Sequence, residues 1–199
     1  MGRLILIRHG ESVGNRDRIF ALDPRELPLT ERGYQQAREA GMRLAQRYQV
    51  ELVVASPYVR AQETARVIAA ALGVPLEIEP DLYERDVGAL RGKPYDSILA
   101  HPDYDPQRSW AWKPEGGESF QDVEARVGPI LDRLARAHLR RDVVVVSHGG
   151  VMKTLWAYIT GTWDGAHVPR NCGMILVEHG PDGYSAPQVI GGGSDIGPA

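Results

Sequence analysis

Short apolar runs alternating with amphipathic helical stretches predict an α/β chain, folded as a three-layer α/β/α sandwich around a mostly parallel sheet. Residues 4–7, 52–55 and 143–146 are apolar at every position, the pattern of strands buried on both faces. Between them lie segments with apolar residues at helical spacing. Two of these strands also end alike, on a histidine followed by a glycine. An open α/β sheet places its ligand crevice at such strand ends.

In order along the chain, the strand at 4–7 runs into a long polar loop, 10–29, broken by Asp23-Pro24 and Pro28. Thr30 is a helix N-cap, and Ala37, Gly41, Leu44 and Tyr48 form one stripe of a helix reaching Tyr48. After the strand at 52–55, Ser56 as N-cap with Pro57 at the first helical position predicts a helix to Leu72. Leu76–Ile78 is a short third strand, and 80–118 is irregular except for a short helix from Pro94 to about Ala100. Ser119 starts a long helix in which Phe120, Val123, Val127, Ile130, Leu131 and Leu134 keep helical spacing. The strand at 143–146 turns through Ser147-His148-Gly149-Gly150 into a helix ending at Ile159. Weaker strands at 173–177 and 184–190 follow, and the tail 191–199 is expected to fray. No repeat, linker or charge block divides the chain, so 1–199 reads as a single catalytic domain.

The composition is that of a globular protein, with 199 residues, 43% hydrophobic and 25% charged. A net charge of −3 offers no basic field for nucleic acid or an anionic membrane. No apolar run approaches the roughly 18 residues of a bilayer span, and no leader pattern opens the chain. The single cysteine, Cys172, excludes an intramolecular disulfide framework and reads as a buried small hydrophobe. Together these features predict a cytoplasmic protein.

Three strand ends carry the chemistry. Arg8-His9-Gly10 closes the first, Ser147-His148-Gly149-Gly150 the fourth, and Ser56-Pro57-Tyr58-Val59-Arg60-Ala61 the second. Adjacent parallel strands would put both imidazoles at one sheet edge, and a helix starting near Arg60 would add its N-terminal dipole. Two guanidiniums, two imidazoles and a dipole around one crevice suit a phosphoryl dianion. An imidazole can attack phosphorus, and a glycine lets backbone come close. A neutral His9 needs a hydrogen bond to fix its tautomer, and a carbonyl of the Gly10 loop is the natural acceptor. The six histidines show no metal-ligand spacing, so no metal is expected.

These residues resemble the histidine phosphatase superfamily, the phosphoglycerate mutase-like family. The matching segments are Arg8-His9-Gly10-Glu11-Ser12 with Asn15, Leu29-Thr30-Glu31-Arg32-Gly33 and 56–65. Leu82-Tyr83-Glu84-Arg85-Asp86-Val87-Gly88 with Gly92, Gly116-Gly117-Glu118-Ser119 and Val146-Ser147-His148-Gly149-Gly150 complete the set. They stand in the family's order and span nearly the whole chain. The resemblance implies a phosphoglycerate mutase-like fold with His9 as the nucleophile that becomes phosphorylated. It implies that Arg8, Arg60 and His148 hold the phosphoryl oxygens, with Asn15 and Gly149 as further substrate-binding residues. Glu84 would protonate the leaving alkoxide and then activate water.

A plain structural reading stands beside several of these. Asn15 could stabilise a turn, and Glu11 is better suited to ordering its loop than to reacting. Arg108, Trp110, Trp112 and Lys113 could bind a phosphorylated sugar, a nucleotide or an aromatic ester, or the two tryptophans could simply pack as a lid. A phosphate dianion would raise the Glu84 pKa and the two arginines would lower it. The favoured function is a metal-independent phosphomonoesterase, without cofactor, acting through phosphohistidine on a small phosphorylated metabolite. The alternative is a phosphoglycerate mutase dependent on 2,3-bisphosphoglycerate, and a third reading is a binder of phosphorylated ligands without turnover. A homodimer is implied by the resemblance alone.

Overall fold

Side-chain alternation along the first strand sets the layers. In the computed structural model, which describes residues 1–190, β1 (Gly2–Arg8) points Leu4 and Leu6 to one face and Ile5 and Ile7 to the other. Leu4 and Leu6 join Val143 and Val145 of β4 (Asp142–Ser147), under α4 (Phe120–Ala137) and α5 (Gly149–Thr160). Ile5 and Ile7 join Val144 and Val146, under α2 (Glu31–Arg47) and α3 (Val59–Leu72). All eight side chains are 1% exposed or less. Each such burial contributes on the order of 1.5–3 kcal/mol against the entropy of folding. The result is a three-layer α/β/α sandwich.

The sheet order is β3-β2-β4-β1-β5-β6, with β2 at Val50–Ala55, β3 at Leu76–Ile78, β5 at Met174–Gly180 and β6 at Gly183–Tyr184. The first four strands in that order are parallel, and β5 runs antiparallel to β1. In register, Arg8 lies beside Ser147, and Ile7 and Ala55 both lie beside Val146. Residues 9, 56 and 148 therefore leave the sheet side by side at the carboxyl edge.

Four local expectations change. The loop after β1 contains a short helix, α1 (Val13–Asp17), closed by a capping box between Ser12 and Asn15. α3 begins at Val59, not at Pro57, because the Ser56 hydroxyl is engaged with His148 and with the Tyr58 N–H. The short helix after Pro94 is a 3₁₀ turn, Tyr95–Ile98. The strand expected at 184–190 splits into β6 and β7 (Gln188–Ile190), since Pro187 has no N–H for the ladder. The tail 191–199 lies outside the described residues. Among the described residues, no helix is long and apolar enough to cross a membrane.

Candidate active site

His9 continues the β1 ladder, its N–H donating to the Ser147 carbonyl at 2.9 Å. Its ring is locked by chemistry at both nitrogens. Nδ1 lies 2.7 Å from the Gly10 carbonyl, which can only accept, so Nδ1 carries the proton. Arg60 Nε donates to Nε2 at 3.1 Å, and a guanidinium can only donate, so Nε2 presents its lone pair. Burial first, then the Arg60 and Arg8 charges, push the His9 pKa well below the ordinary imidazole value, against the Gly10 hydrogen bond. The expected carbonyl acceptor is thus Gly10 itself.

The Gly10 glycine has a different reason from the one expected. A Cβ there would fall 2.5 Å from the Gly33 carbonyl oxygen, so the close approach is to the first turn of α2 rather than to a ligand. Thr64 completes the anchor, accepting from the Gly10 N–H at 3.0 Å while donating to the Arg60 carbonyl at 2.7 Å.

His148 is fully buried, its ring 5.2 Å from that of His9 in an edge-on arrangement. Its Nε2 meets the Ser56 hydroxyl at 2.7 Å, and Nδ1 has no hydrogen-bond partner among the described residues. Burial, followed by the Arg60 charge, also drives this imidazole well below its ordinary pKa. Both rings are neutral at pH 7. The two strand-end histidines do converge.

Arg60 sits in the first turn of α3, with Nη1 donating to the Pro24 carbonyl and its guanidinium 5.1 Å above the Tyr58 ring. Arg8 Nη1 donates to the Pro169 carbonyl at 3.1 Å, and its Nε has no partner among the described residues. Burial lowers the pKa of both guanidiniums, with the Glu84 charge partly opposing it. Neither has a carboxylate within ion-pair range among the described residues. Such buried, uncompensated cations are costly and favour an anion.

Glu84 stands at the α5 N-terminus, where its Oε2 accepts the Gly150 N–H at 3.1 Å and its Oε1 accepts the Arg85 N–H at 2.8 Å. A Cβ at Gly150 would lie 2.4 Å from Glu84 Oε1, so a larger residue there would displace the carboxylate. Gly149 packs beside Arg8, whose Nε would lie 3.6 Å from a Cβ at that position.

Asn15 has a heavier structural duty than its role as a candidate ligand suggested. Its Oδ1 accepts from the Ser12 N–H and from Asn171 Nδ2, and its Nδ2 donates to the Tyr95 hydroxyl at 3.3 Å. Asn171 and Tyr95 carry no motif and were not foreseen. Asn171 Nδ2 also donates to the His9 carbonyl at 2.9 Å, from a turn in which Cys172 adopts a left-handed φ of 56°. Cys172 itself is buried, and burial pushes its thiol up to about 12. Glu11 orders its loop, accepting the Thr30 hydroxyl at 2.8 Å.

The segment at 101–118 packs its two tryptophans against aromatic and cationic side chains. Trp112 is buried against His101, Tyr104 and the Arg85 guanidinium, whereas Trp110 stacks parallel to Trp163 at 6.1 Å. Lys113 is paired with Asp122. Among the described residues, no three His, Cys, Asp or Glu side chains are grouped to hold a metal ion.

The family model described as "Histidine phosphatase superfamily (branch 1)" matches residues 4–189. The chain is 33% identical over 164 residues to the adenosylcobalamin/alpha-ribazole phosphatase of Escherichia coli, covering 80% of this chain and 79% of that one. It is 36% identical over 168 residues to a 2,3-bisphosphoglycerate-dependent phosphoglycerate mutase of Brucella ovis, covering 79% and 81% respectively. Among solved structures, a mycobacterial glucosyl-3-phosphoglycerate phosphatase in complex with VO3 superposes with a TM-score of 0.82 at 26% identity. That match covers 97% of this chain and 99% of the other.

Proposed function

The chain belongs to the histidine phosphatase superfamily, and on that premise we propose that it hydrolyses small phosphomonoesters through a phosphohistidine at His9, without a metal. The observation that carries this reading is the tautomer of His9: Nδ1–H tied to Gly10, and the Nε2 lone pair turned toward Arg60. A bound phosphoryl group takes the Arg60 contact in place of Nε2. Nε2 then attacks phosphorus as the ester P–O bond breaks, and Glu84 gives its proton to the departing alkoxide. Glu84 next takes a proton from water, whose oxygen bonds to phosphorus as the P–N bond breaks, releasing phosphate and restoring neutral His9. Arg8, Arg60, His148, Asn15 and Gly149 hold the phosphoryl oxygens. Fixed donors of this kind supply most of the acceleration in phosphoryl transfer.

Hydrolysis is favoured over mutase action by the extent of the likeness. The chain matches a solved phosphatase over nearly the full length of both. The mutase stays as the second reading because a mutase of similar length is 36% identical.

Two assays test this. p-Nitrophenyl phosphate with EDTA present is expected to be hydrolysed by the wild type and at least about a thousandfold more slowly by His9→Ala. Undiminished turnover by His9→Ala would remove the nucleophile. Supplied with 3-phosphoglycerate and a trace of 2,3-bisphosphoglycerate, the protein is expected to release phosphate. Rapid formation of 2-phosphoglycerate without phosphate would instead establish the mutase.

A further inference from the structure

Helix α5 carries a cation that the phosphoryl cradle does not use. Lys153 lies three residues beyond Gly150, whose N–H holds Glu84, and so shares that face of the helix. Helical side chains lean toward the N-terminus, and Lys153 reaches back to place Nζ 4.9 Å from the centre of the Phe120 ring. Phe120 is the wall beside Glu84: the Cβ position at Gly150 lies 2.4 Å from Glu84 Oε1 and 3.3 Å from Phe120 Cε1.

The Arg85 guanidinium occupies the same ring, 4.3 Å from its centre. It is fixed by the Glu118 and Trp112 carbonyls, which hold it without neutralising it. Lys153 is half-buried and has no ion pair among the described residues. Nearby carboxylates are engaged elsewhere, Glu118 with Arg126, Asp122 with Lys113 and Asp86 with Arg91. Burial first, then the Arg85 charge, lower the Lys153 pKa from the ordinary lysine value.

Charge balance gives this cation a use. Arg8, Arg60 and Arg85 lie within electrostatic reach of Glu84, and Lys153 within reach of Arg85, four positive charges in all. A phosphoryl dianion and an ionised Glu84 bring three negative ones, leaving one positive charge over. When Glu84 is protonated to act as the acid, two are left over. On the phosphomonoesterase reading, whatever lies beyond the Glu84 carboxyl is leaving group.

We propose that Lys153, backed by the Arg85 charge, is an anion subsite for the leaving group, so that preferred substrates are phosphomonoesters bearing a second anionic group. A carboxylate and a second phosphate share the required chemistry, and an ammonium suits either as a compact point charge. The proposal rests on the hydrolytic reading above and adds a substrate class to it.

The test compares phenyl phosphates carrying a carboxylate at the meta or para position with their neutral carboxamide isosteres. The kcat/KM ratio of carboxylate to carboxamide is measured in the wild type, Lys153→Met and Lys153→Arg. A ratio of about ten, equivalent to about 1.4 kcal/mol, is expected in the wild type for at least one ring position. It is expected to persist in Lys153→Arg and to fall to about one in Lys153→Met. Because both esters meet the same preparation, any loss of folded protein cancels from the ratio. A wild-type ratio of one at both positions, or a ratio that survives Lys153→Met, overturns the subsite while leaving the phosphatase intact. Failure to hydrolyse any of the esters overturns both.

Discussion

Strand β1 carries an arginine at each end, and the fold treats them in opposite ways. Arg3 meets Asp142, the first residue of the neighbouring β4, through two parallel hydrogen bonds of 2.8 and 2.7 Å. Close by, Glu51 accepts from both His138 and Arg141. At the other end, the Arg8 guanidinium is more deeply buried, yet among the described residues it finds only a backbone carbonyl. The pKa directions record the difference: hydrogen bonding to Asp142 raises that of Arg3, and burial lowers that of Arg8. One pair of adjacent strands thus has an end that is neutralised and an end left positive. The first serves stability, and on the proposed function the second gives up stability to hold an anion ready for phosphoryl transfer.

Removing a cation from the positive end sharpens the contrast most. Arg60→Met is expected to lower kcat by about 10²–10³-fold, as loss of one preorganised donor does. The same change is expected to leave stability to urea equal or higher by about 1–2 kcal/mol, since it removes a buried charge without a counterion. A large loss of stability would mean that Arg60 is chiefly a structural anchor. Orthophosphate is expected to act on the same end. At about a hundred times its Kd it adds roughly 2.7 kcal/mol to the wild type, and the gain shrinks sharply in Arg60→Met at the same concentration. Equal shifts in thermal midpoint for the two proteins would place the anion elsewhere.

The response to pH follows from three depressed imidazoles, His9, His148 and His179, each lowered chiefly by burial. Unfolded histidine titrates near 6.5, so below about that pH the unfolded chain takes up protons that the folded chain refuses. Stability is therefore expected to be flat above about pH 6.5 and to fall below it, toward the lower folded values. His179 contributes with both ring nitrogens buried and unpartnered, so His179→Leu should flatten the slope between pH 7 and 5. Urea titrations at successive pH values check this, and a slope unaltered by that substitution would contradict it. The smallest effect belongs to the neutralised end. Arg3→Met strands the buried Asp142 carboxylate, but Arg3 is itself about a third exposed, so the loss is expected to be about 1 kcal/mol. Turnover should stay within about twofold of the wild type, and a larger fall would show that the two ends are not independent.

What the residues reveal on their own divides along the same physical line. The central runs of β1, β2 and β4, at 4–7, 52–55 and 143–146, are legible because they are buried on both faces and hence apolar at every position. His9, Arg60 and His148 are legible because each follows such a strand. Three groups escape this logic. Ser56 reads as a helix cap by residue type, but the hydroxyl is claimed by His148, a partner 92 residues away. Asn171 and Tyr95 support His9 and Asn15 from tight turns, through side-chain hydrogen bonds that leave no periodic trace. Lys153 looks like an ordinary helix-face lysine until Phe120 and Arg85 are seen beside it.

The most direct test of the account is to trap the phosphorylated enzyme. Rapid quenching into alkali during turnover, followed by peptide mapping, is expected to find an acid-labile phosphate on the peptide containing His9. With p-nitrophenyl phosphate, whose leaving group departs without an acid, Glu84→Gln lacks only the base for the second step and is expected to accumulate more of it. Steady turnover by the wild type with no phosphate on His9 at any quench time would contradict the account.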